Sequence, residues 1–210
     1  MNSRRAGGKV LGVIIAGGTS SRFGSPKALA RVGGIRVIDR LAEALRAACD
    51  DVVAIINDAG LAHTSGLPHR ADMLHGAGAL AGVHAALLWA RERDCSGVVA
   101  AGSDMPFLPV SLLGELVTRS AAGHDIVIPA SDGPRGVEPL CAFYGVACIA
   151  AIEDAITRGD TRMIGFHQHV AVHRIPLDDV RAFGDPAVMF MNLNTPADHE
   201  AAEQIVREVP

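Results

Sequence analysis

Short apolar runs alternate along the chain with segments in which apolar residues recur at helical spacing. Residues 10–16 are apolar at almost every position, which favours a strand buried on both faces. Further strands are predicted just before Asp72 and at 52–56, 97–102, 125–129, 139–144, 171–175 and 187–191. Helices are predicted at 36–48, 83–91, 112–120, 147–158 and 196–207, the last with Thr195 as its N-cap.

This alternation of strands and helices predicts an α/β fold in three α/β/α layers with a mostly parallel central sheet. The chain shows no internal repeat and no linker, so residues 10–210 are expected to form a single domain. Residues 1–9 are expected to be a disordered N-terminal extension. In such sheets ligands bind at the carboxyl ends of the strands, where polar residues therefore become candidates for function.

Composition narrows the class of protein. Of the 210 residues, 49% are hydrophobic and 20% are charged, which is typical of a globular chain with a large core. The net charge of −4 gives no electrostatic case for a nucleic-acid partner. No apolar stretch is long enough to span a bilayer and no signal peptide is predicted, so we expect no membrane partner and a cytoplasmic location. The four widely spaced cysteines indicate free or buried thiols rather than a zinc site.

The polar loop after the first strand has the chemistry of a triphosphate site. Gly17 and Gly18 allow a sharp turn whose N–H groups can face an anion. Ser20 adds a hydroxyl, and Arg22 and Lys27 add two cations. The loop is neither a Walker A motif nor a dinucleotide fingerprint. The alternative is a glycine-rich turn with ordinary surface cations.

Three more polar residues follow predicted strands. Asp104 comes directly after the buried run 97–102, where a carboxylate can hold Mg²⁺ together with phosphate oxygens. Asn57 and Asp72 fall at strand ends on the same edge and can contact a base or a ribose. For all three, a turn or capping role is the alternative.

Histidines near the end of the chain offer a weaker candidate. If residues 166–175 are extended, His167, His169 and His173 share one face and could bind a metal. Exposed histidines on a half-buried strand are the favoured interpretation. The neighbouring Asp178 and Asp179 are interpreted as a solvated turn.

Five blocks in the same order resemble the molybdenum cofactor guanylyltransferase family, within the nucleotide-diphospho-sugar transferase-like superfamily. The blocks are IAGGxSxRFGxxK at 15–27, GALAG at 78–82, SDMP at 103–106, PLxAFY at 139–144 and NLNTPAD at 192–198. Together they span nearly the whole chain. The last block points to the guanylyl branch, since related cytidylyltransferases tend to have DxDTP there. The resemblance implies a Rossmann-like nucleotidyltransferase fold.

The resemblance also implies a role for each matching residue. Ile15, Ala16 and Gly17 would contact the guanine nucleotide through the backbone, and Lys27 would hold the phosphates. The other residues implied are Asn57 and Asp72 at the nucleoside, Asp104 as the Mg²⁺ ligand, and Asn192 and Asn194 near the nucleotide or the pterin. GTP and molybdopterin would be the substrates, with pyrophosphate as the leaving group. A molybdenum-insertion protein or a molybdoenzyme chaperone would be a transient partner.

The sequence departs from the family pattern at four positions. Phe23 stands where Met is usual, Pro26 where Asp is usual and Ala79 where Pro is usual. Glu138 stands where His or Gln is usual, and its carboxylate would repel an anionic acceptor, which leaves the identity of the acceptor open. Arg135, Glu138 and Arg162 are candidates to face that acceptor. A cytidylyltransferase on the same pterin, a nucleotidyltransferase on a sugar phosphate and a non-catalytic nucleotide sensor are the alternatives.

Overall fold

A computed structural model of the chain describes residues 8–16, 27–74 and 76–208. The strands are β1 (Lys9–Ala16), β2 (Arg31–Val32), β3 (Ile35–Arg36), β4 (Asp51–Ile56), β5 (His69–Arg70), β6 (Cys95–Gly102), β7 (Ile126–Pro129), β8 (Cys141–Gly145) and β9 (Val172–Ile175). The α-helices are α1 (Val37–Ala48), α2 (Ala59–Ser65), α3 (Gly78–Glu92), α4 (Val110–Ser120), α5 (Cys148–Thr157), α6 (Leu177–Arg181), α7 (Pro186–Met189) and α8 (Pro196–Glu208). Short 3₁₀ helices cover Lys27–Leu29 and His167–His169.

The central sheet has the strand order β5-β4-β1-β6-β8-β7-β9. Its neighbours are parallel except where β8 pairs with β6 and β7, to which it is antiparallel. The predicted, mostly parallel sheet is therefore confirmed. The carboxyl ends of the six parallel strands lie on one edge, and the start of β8 lies on that edge too. This is the edge at which a ligand site was expected.

Helices cover both faces of the sheet, which confirms the three-layer arrangement. Along β1, Val10 and Ile14 pack in one core with α1 and α4, whereas Leu11, Val13 and Ile15 pack in the other core with α3 and α5. Successive side chains of a strand point to opposite faces, so a strand covered on both sides must be apolar at nearly every position. That is why the run 10–16 was recognisable as a central strand.

The predicted strand at 187–191 is wrong, because Pro186–Met189 is the helix α7. The Asp185 side chain accepts a hydrogen bond from the Ala187 N–H over 2.9 Å, and Pro186 occupies the first turn, which is the position that proline tolerates. Met189 is buried in the core. A short apolar run cannot be assigned to a strand or a helix by periodicity alone, and here the capping residues decide.

Other predicted boundaries shift by a few residues. The helix expected at 83–91 begins five residues earlier, at Gly78, and the strand expected at 139–144 begins at Cys141. The short helix α2 was not predicted. Asp58 caps it by accepting the Leu61 N–H over 2.7 Å, and Gly66 ends it in a left-handed conformation with φ of 71°.

The structure describes only part of the predicted N-terminal extension, residues 1–9. β1 begins at Lys9, and residues 1–7 of the predicted extension lie outside the described residues. Across the three described ranges, no helix combines the length and the apolar character needed to cross a membrane.

Candidate active site

The polar residues that follow β4, β5 and β6 converge on one edge of the sheet. β4 and β5 run parallel to each other, and both run parallel to β1 and β6, so their last residues lie side by side. Asn57 follows β4, Asp72 lies two residues after β5, and Asp104 lies two residues after β6. β1 ends at Ala16, from which the predicted triphosphate loop departs. The topology therefore brings Asn57, Asp72 and Asp104 to the same edge of the sheet.

Asn57 and Asp72 bind each other directly. The Asn57 side-chain amide donates to Asp72 Oδ2 over 2.7 Å, and the Asp72 backbone N–H donates to Asn57 Oδ1 over 3.0 Å. This reciprocal pair fixes both side chains at the rim of the sheet. Asn57 is exposed and Asp72 is half-buried, so the pair still faces solvent. A carboxylate with several acceptor positions suits the N–H groups of a base or the hydroxyl groups of a ribose.

Asp104 is held between β1 and the segment before α8. The N–H of Ser103, which precedes it, donates to the Ile15 carbonyl over 3.1 Å. The Asp104 carbonyl accepts the Leu193 N–H over 2.9 Å. Two distant segments thus fix the position of a half-buried carboxylate at the end of β6. The turn is tight, because a Cβ added at Gly102 would lie 3.0 Å from Asp104 Oδ1.

Asn192 and Asn194 flank Leu193 and are therefore brought to Asp104. Leu193 is buried in the core, so the two asparagines next to it are carried to the surface of the site. The Asn192 amide donates to the Phe190 carbonyl over 2.9 Å, and the Asn194 N–H donates to Asp198 Oδ2 over 2.9 Å.

The start of α8 stabilises this segment. The Asp198 carboxylate also accepts the Thr195 N–H over 2.7 Å, and the Thr195 hydroxyl accepts the Asp198 N–H over 3.2 Å. Two residues that satisfy each other's backbone N–H groups at a helix start form a capping box. The prediction that Thr195 caps the last helix is confirmed.

Glu138, one of the candidates to face the acceptor, is brought to this edge of the sheet by the direction of β8. It lies just before β8, whose start shares the edge of the sheet with Asp104 because β8 runs antiparallel to β6. Burial raises the pKa of Glu138, and the negative charge of Asp104 raises it further. The Leu140 backbone N–H and the positive charge of Arg135 act on that pKa in the opposite direction. The site therefore contains a second half-buried carboxylate near Asp104.

The opening loop is described only at its two ends. Ile15 and Ala16 are buried at the end of β1, and the Ile15 carbonyl is engaged by Ser103. The predictions for Gly17, Gly18, Ser20 and Arg22 lie outside the described residues. Lys27 begins a short 3₁₀ helix, but its side chain also lies outside them.

The condition under which the three histidines would share one face, an extended backbone over residues 166–175, is not met. His167 and His169 lie in a 3₁₀ helix rather than a strand. His173, in β9, stacks on His124 with 4.7 Å between ring centroids, and its Nε2 lies 3.0 Å from Arg119 Nη1. Over residues 8–16, 27–74 and 76–208, no group of three histidines, cysteines or acids is placed to hold a metal ion.

The remaining predicted groups have structural partners. The four cysteines are thiols outside any disulfide bond, and Cys141 and Cys148 are buried. Arg162 forms a two-pronged pair with Asp160 at 2.7 and 2.9 Å. The Asp178 and Asp179 turn forms the first part of α6 rather than a loop, and the Asp178 side chain is 92% exposed.

Comparison with known proteins shows which family this chain is similar to. Residues 12–172 match the model of the MobA-like NTP transferase domain. A probable molybdenum cofactor guanylyltransferase of Pelotomaculum thermopropionicum is 35% identical over 189 residues, which are 89% of this chain and 88% of that protein. A molybdenum cofactor guanylyltransferase of Sinorhizobium fredii is 35% identical over 205 residues, covering 94% of this chain and 92% of that protein.

A solved structure shows the same architecture. The crystal structure of molybdopterin-guanine dinucleotide biosynthesis protein A from Archaeoglobus fulgidus is similar to this chain with a TM-score of 0.78 and 28% identity. The similarity covers 95% of this chain and all of that one (100%). The resemblance drawn from the five sequence blocks is thereby confirmed. The chain belongs to the family of MobA-like NTP transferases.

Proposed function

We propose that the protein transfers GMP from GTP to the terminal phosphate of molybdopterin, which forms the guanine dinucleotide cofactor and releases pyrophosphate. The observation that carries the proposal is the position of Asp104, held by β1 on one side and by the Asn192–Asn194 segment on the other. This position links the end of β1 to the last sequence block through backbone hydrogen bonds at Ser103 and Asp104. The names of the two relatives and of the solved structure support guanylyl transfer as the reaction.

The reaction is an in-line displacement. A terminal phosphate oxygen of molybdopterin attacks the α-phosphorus of GTP and forms a new P–O bond, while the bond from that phosphorus to the β-phosphate oxygen breaks. Pyrophosphate leaves with the electron pair. The attacking phosphate is already ionised at neutral pH, so no general base is required. Positioning and charge stabilisation therefore make up most of the catalysis.

The acidic and amide side chains of the site fit a hard cation. Mg²⁺ binds through one or two carboxylates together with substrate phosphates, and Asp104 offers such a carboxylate at the right edge of the sheet. When bound, Mg²⁺ would supply positive charge that polarises the α-phosphate. Asp104 would be its protein ligand.

The other residues bind and orient the substrates. Asn57 and Asp72, already held by their mutual hydrogen bonds, would receive the guanine nucleoside without having to become ordered on binding. Asn192 and Asn194 would line the nucleotide or the pterin side. Lys27 and Arg22, with the N–H groups of Gly17 and Gly18 and the hydroxyl of Ser20, would neutralise the departing pyrophosphate. The backbone of Ile15 and Ala16 would border the nucleotide.

The first test is a calorimetric titration with GTP, CTP and ATP, each with Mg²⁺, on the wild type and on Asp104→Ala. We expect selective binding of GTP that depends on Asp104. In the subsequent transfer assay with molybdopterin, Asp104→Ala should lower kcat by about 10²-fold or more, as the removal of one electrostatic stabiliser does in other enzymes. Exposed Glu200, on α8, provides a control as Glu200→Ala, which should bind and turn over normally.

The other possible outcomes would indicate other functions. A preference for CTP would keep the mechanism but indicate a cytidylyltransferase. GTP binding without pyrophosphate release would indicate a nucleotide sensor. Near-normal turnover in Asp104→Ala would contradict the role given to that carboxylate. A cytoplasmic location and transient contact with a molybdenum-insertion protein or a molybdoenzyme chaperone are further predictions of this function.

A further inference from the structure

One face of helix α8 is fastened to the β2–β3 hairpin, residues 31–36. His199, Ala202, Glu203 and Val206 follow one another at spacings of three and four residues, which places them on the same side of the helix. Along α8, which is described in full, only Ala202 is buried. A helix that buries so little apolar surface depends on the contacts of this one face for its position.

The hairpin offers backbone groups to this face. The His199 Nε2 lies 2.6 Å from the Arg31 carbonyl, and because a carbonyl only accepts, this nitrogen donates. The Gly33 N–H donates to Glu203 Oε1 over 3.0 Å. Gly33 has a φ of 59°, and a Cβ at this position would lie 2.6 Å from Val206 Cγ1. The absence of a side chain at Gly33 therefore lets α8 lie directly on the hairpin.

The hairpin is fixed to the body of the protein, and α8 leads from it to the site. Val32 is fully buried, and Arg40 of α1 donates to the Val32 carbonyl over 3.0 Å. At its other end α8 begins one residue after the Asn192–Asn194 segment. Within that segment the Leu193 N–H donates to the Asp104 carbonyl. The position of α8 on the hairpin therefore bears on the segment that holds Asp104.

We propose that Glu203 and His199 are positioning residues, which fasten α8 to the hairpin and thereby keep the Asn192–Asn194 segment against Asp104. This inference rests on the proposed function, since it concerns the carboxylate that the transfer reaction would use. Both side chains act through α8 and not by contact with a substrate. A helix that shifted on the hairpin would carry the segment with it, and small displacements near reacting groups lower the rate strongly.

Amide hydrogen exchange of the full chain tests this proposal without depending on turnover. Glu203→Ala removes the acceptor of the Gly33 N–H. Exchange at Gly33 and Leu193 should become roughly three- to tenfold faster, as expected for the loss of one net hydrogen bond. The Ser103 N–H is bonded to the Ile15 carbonyl and should exchange as in the wild type. Glu203→Gln keeps an oxygen that can accept the Gly33 N–H, so it should exchange like the wild type throughout.

Two neighbouring glycines provide a matched pair of variants on the hairpin side. Gly33→Ala places a methyl group against Val206 and should push α8 away. Gly34→Ala carries the same kind of backbone strain, because φ at Gly34 is 78°, but apart from its chain neighbours no described atom lies within 4 Å of the added Cβ. Exchange at Leu193 should therefore be faster in Gly33→Ala than in Gly34→Ala. Adding Val206→Ala to Gly33→Ala should bring it back towards the value of Gly34→Ala, since the clash is removed.

Steady-state kinetics provide a measurement that a merely stabilising contact would not change. In Glu203→Ala and His199→Ala, kcat should fall by about tenfold. The KM for GTP should change little, because the nucleoside is assigned to Asn57 and Asp72 on other strands. Glu203→Gln should restore kcat. The control is Glu200→Ala, an exposed position on the same helix, which should have the kcat of the wild type.

The possible failures differ from one another. If the exchange results are as expected but the wild type neither binds GTP nor transfers GMP, the proposed function is wrong, and the catalytic consequence of the contact is wrong with it. If folded Glu203→Ala melts at a lower temperature but keeps the kcat of the wild type, the contact only stabilises the fold and the inference is overturned. Unchanged exchange at Leu193 in both Glu203→Ala and Gly33→Ala would overturn it as well, as would a higher KM for GTP with unchanged kcat.

Discussion

Ile15 and Gly82 are in such close contact that a Cβ at Gly82 would lie 2.8 Å from Ile15 Cγ2. Gly82 lies in α3, and Ile15 is the penultimate residue of β1. The Ile15 carbonyl also accepts the Ser103 N–H, so this residue links the helix to the turn that carries Asp104. The last glycine of the 78–82 block therefore allows α3 to pack closely against the end of β1.

Gly82→Ala should destabilise the protein by about 1–3 kcal/mol, the usual cost of forcing an extra methyl group into a packed core. Urea unfolding of the purified variant measures this. Gly114→Ala is the matched control, because Gly114 lies in α4 and, among the described residues beyond its own stretch of helix, no atom lies within 4 Å of the added Cβ. There the higher helix propensity of alanine should be neutral or stabilising by up to about 1 kcal/mol.

The effect at Gly82 should depend on its neighbour. In an Ile15→Ala background, which removes the methyl group that the new Cβ would meet, Gly82→Ala should cost less than in the wild type. Contacting residues are coupled in this way, whereas distant ones are additive. Equal unfolding free energies for Gly82→Ala and Gly114→Ala would contradict the proposed close contact.

The reciprocal pair of Asn57 and Asp72 should act as one unit in nucleotide binding. Asn57→Ala removes the partner that orients Asp72, and Asp72→Ala does the same to Asn57. Each single variant should therefore raise KM for GTP with little change in kcat, since the lost interaction is with the nucleoside and not with the reacting phosphates. Steady-state kinetics with varied GTP at saturating acceptor separate the two constants.

The double variant provides the sharper measurement. Residues in direct contact show coupling energies of about 0.5–3 kcal/mol. The double variant Asn57→Ala with Asp72→Ala should therefore lose much less free energy of GTP binding than the sum of the two single losses. Strictly additive losses would indicate that the two residues contact the nucleotide independently. A fall in kcat with unchanged KM would place the pair at the reacting phosphates instead.

The central strands could be predicted from the sequence for a physical reason. A strand covered on both faces has to be apolar at successive positions, and the run 10–16 carries that signal without any tertiary information. Asp104 was recognisable for the same reason, because it directly follows such a run. The prediction at 187–191 failed because its apolar residues are too few to show a period, and the cap at Asp185 determined the helix.

The position of Glu138 could not be obtained from local pattern. It depends on the direction of β8, which enters the sheet antiparallel to β6 and so places its start, rather than its end, beside Asp104. Alternating strands and helices favour parallel neighbours. The only sign in the sequence that β8 runs antiparallel to β7 is the absence of a helix between them. The contact between Leu193 and Asp104 is likewise a long-range backbone hydrogen bond that no spacing in the sequence encodes.

His167 should make the protein less stable in mild acid. Burial lowers the pKa of His167 to about 4, and the positive charge of Arg174 acts in the same direction, whereas a hydrogen bond to the Met163 backbone opposes the shift. Its Nε2 is buried and finds no hydrogen-bond partner within the described ranges. The unfolded chain has the ordinary value of 6.5 and therefore binds more protons between pH 6.5 and about pH 4. The stabilisation is fully present above pH 6.5 and is lost as the pH falls through that window.

The measurement is the free energy of unfolding in urea at pH 7.5 and at pH 4.5, compared between the wild type and His167→Asn. The wild type should lose about 1–3 kcal/mol more than the variant between these two values, because the variant has no group at this position to protonate. His169→Asn is the matched control, since His169 is exposed two residues away, and it should lose as much as the wild type. An identical loss of unfolding free energy in the wild type and in His167→Asn would show that the pKa of His167 is the same in the folded protein as in the unfolded chain.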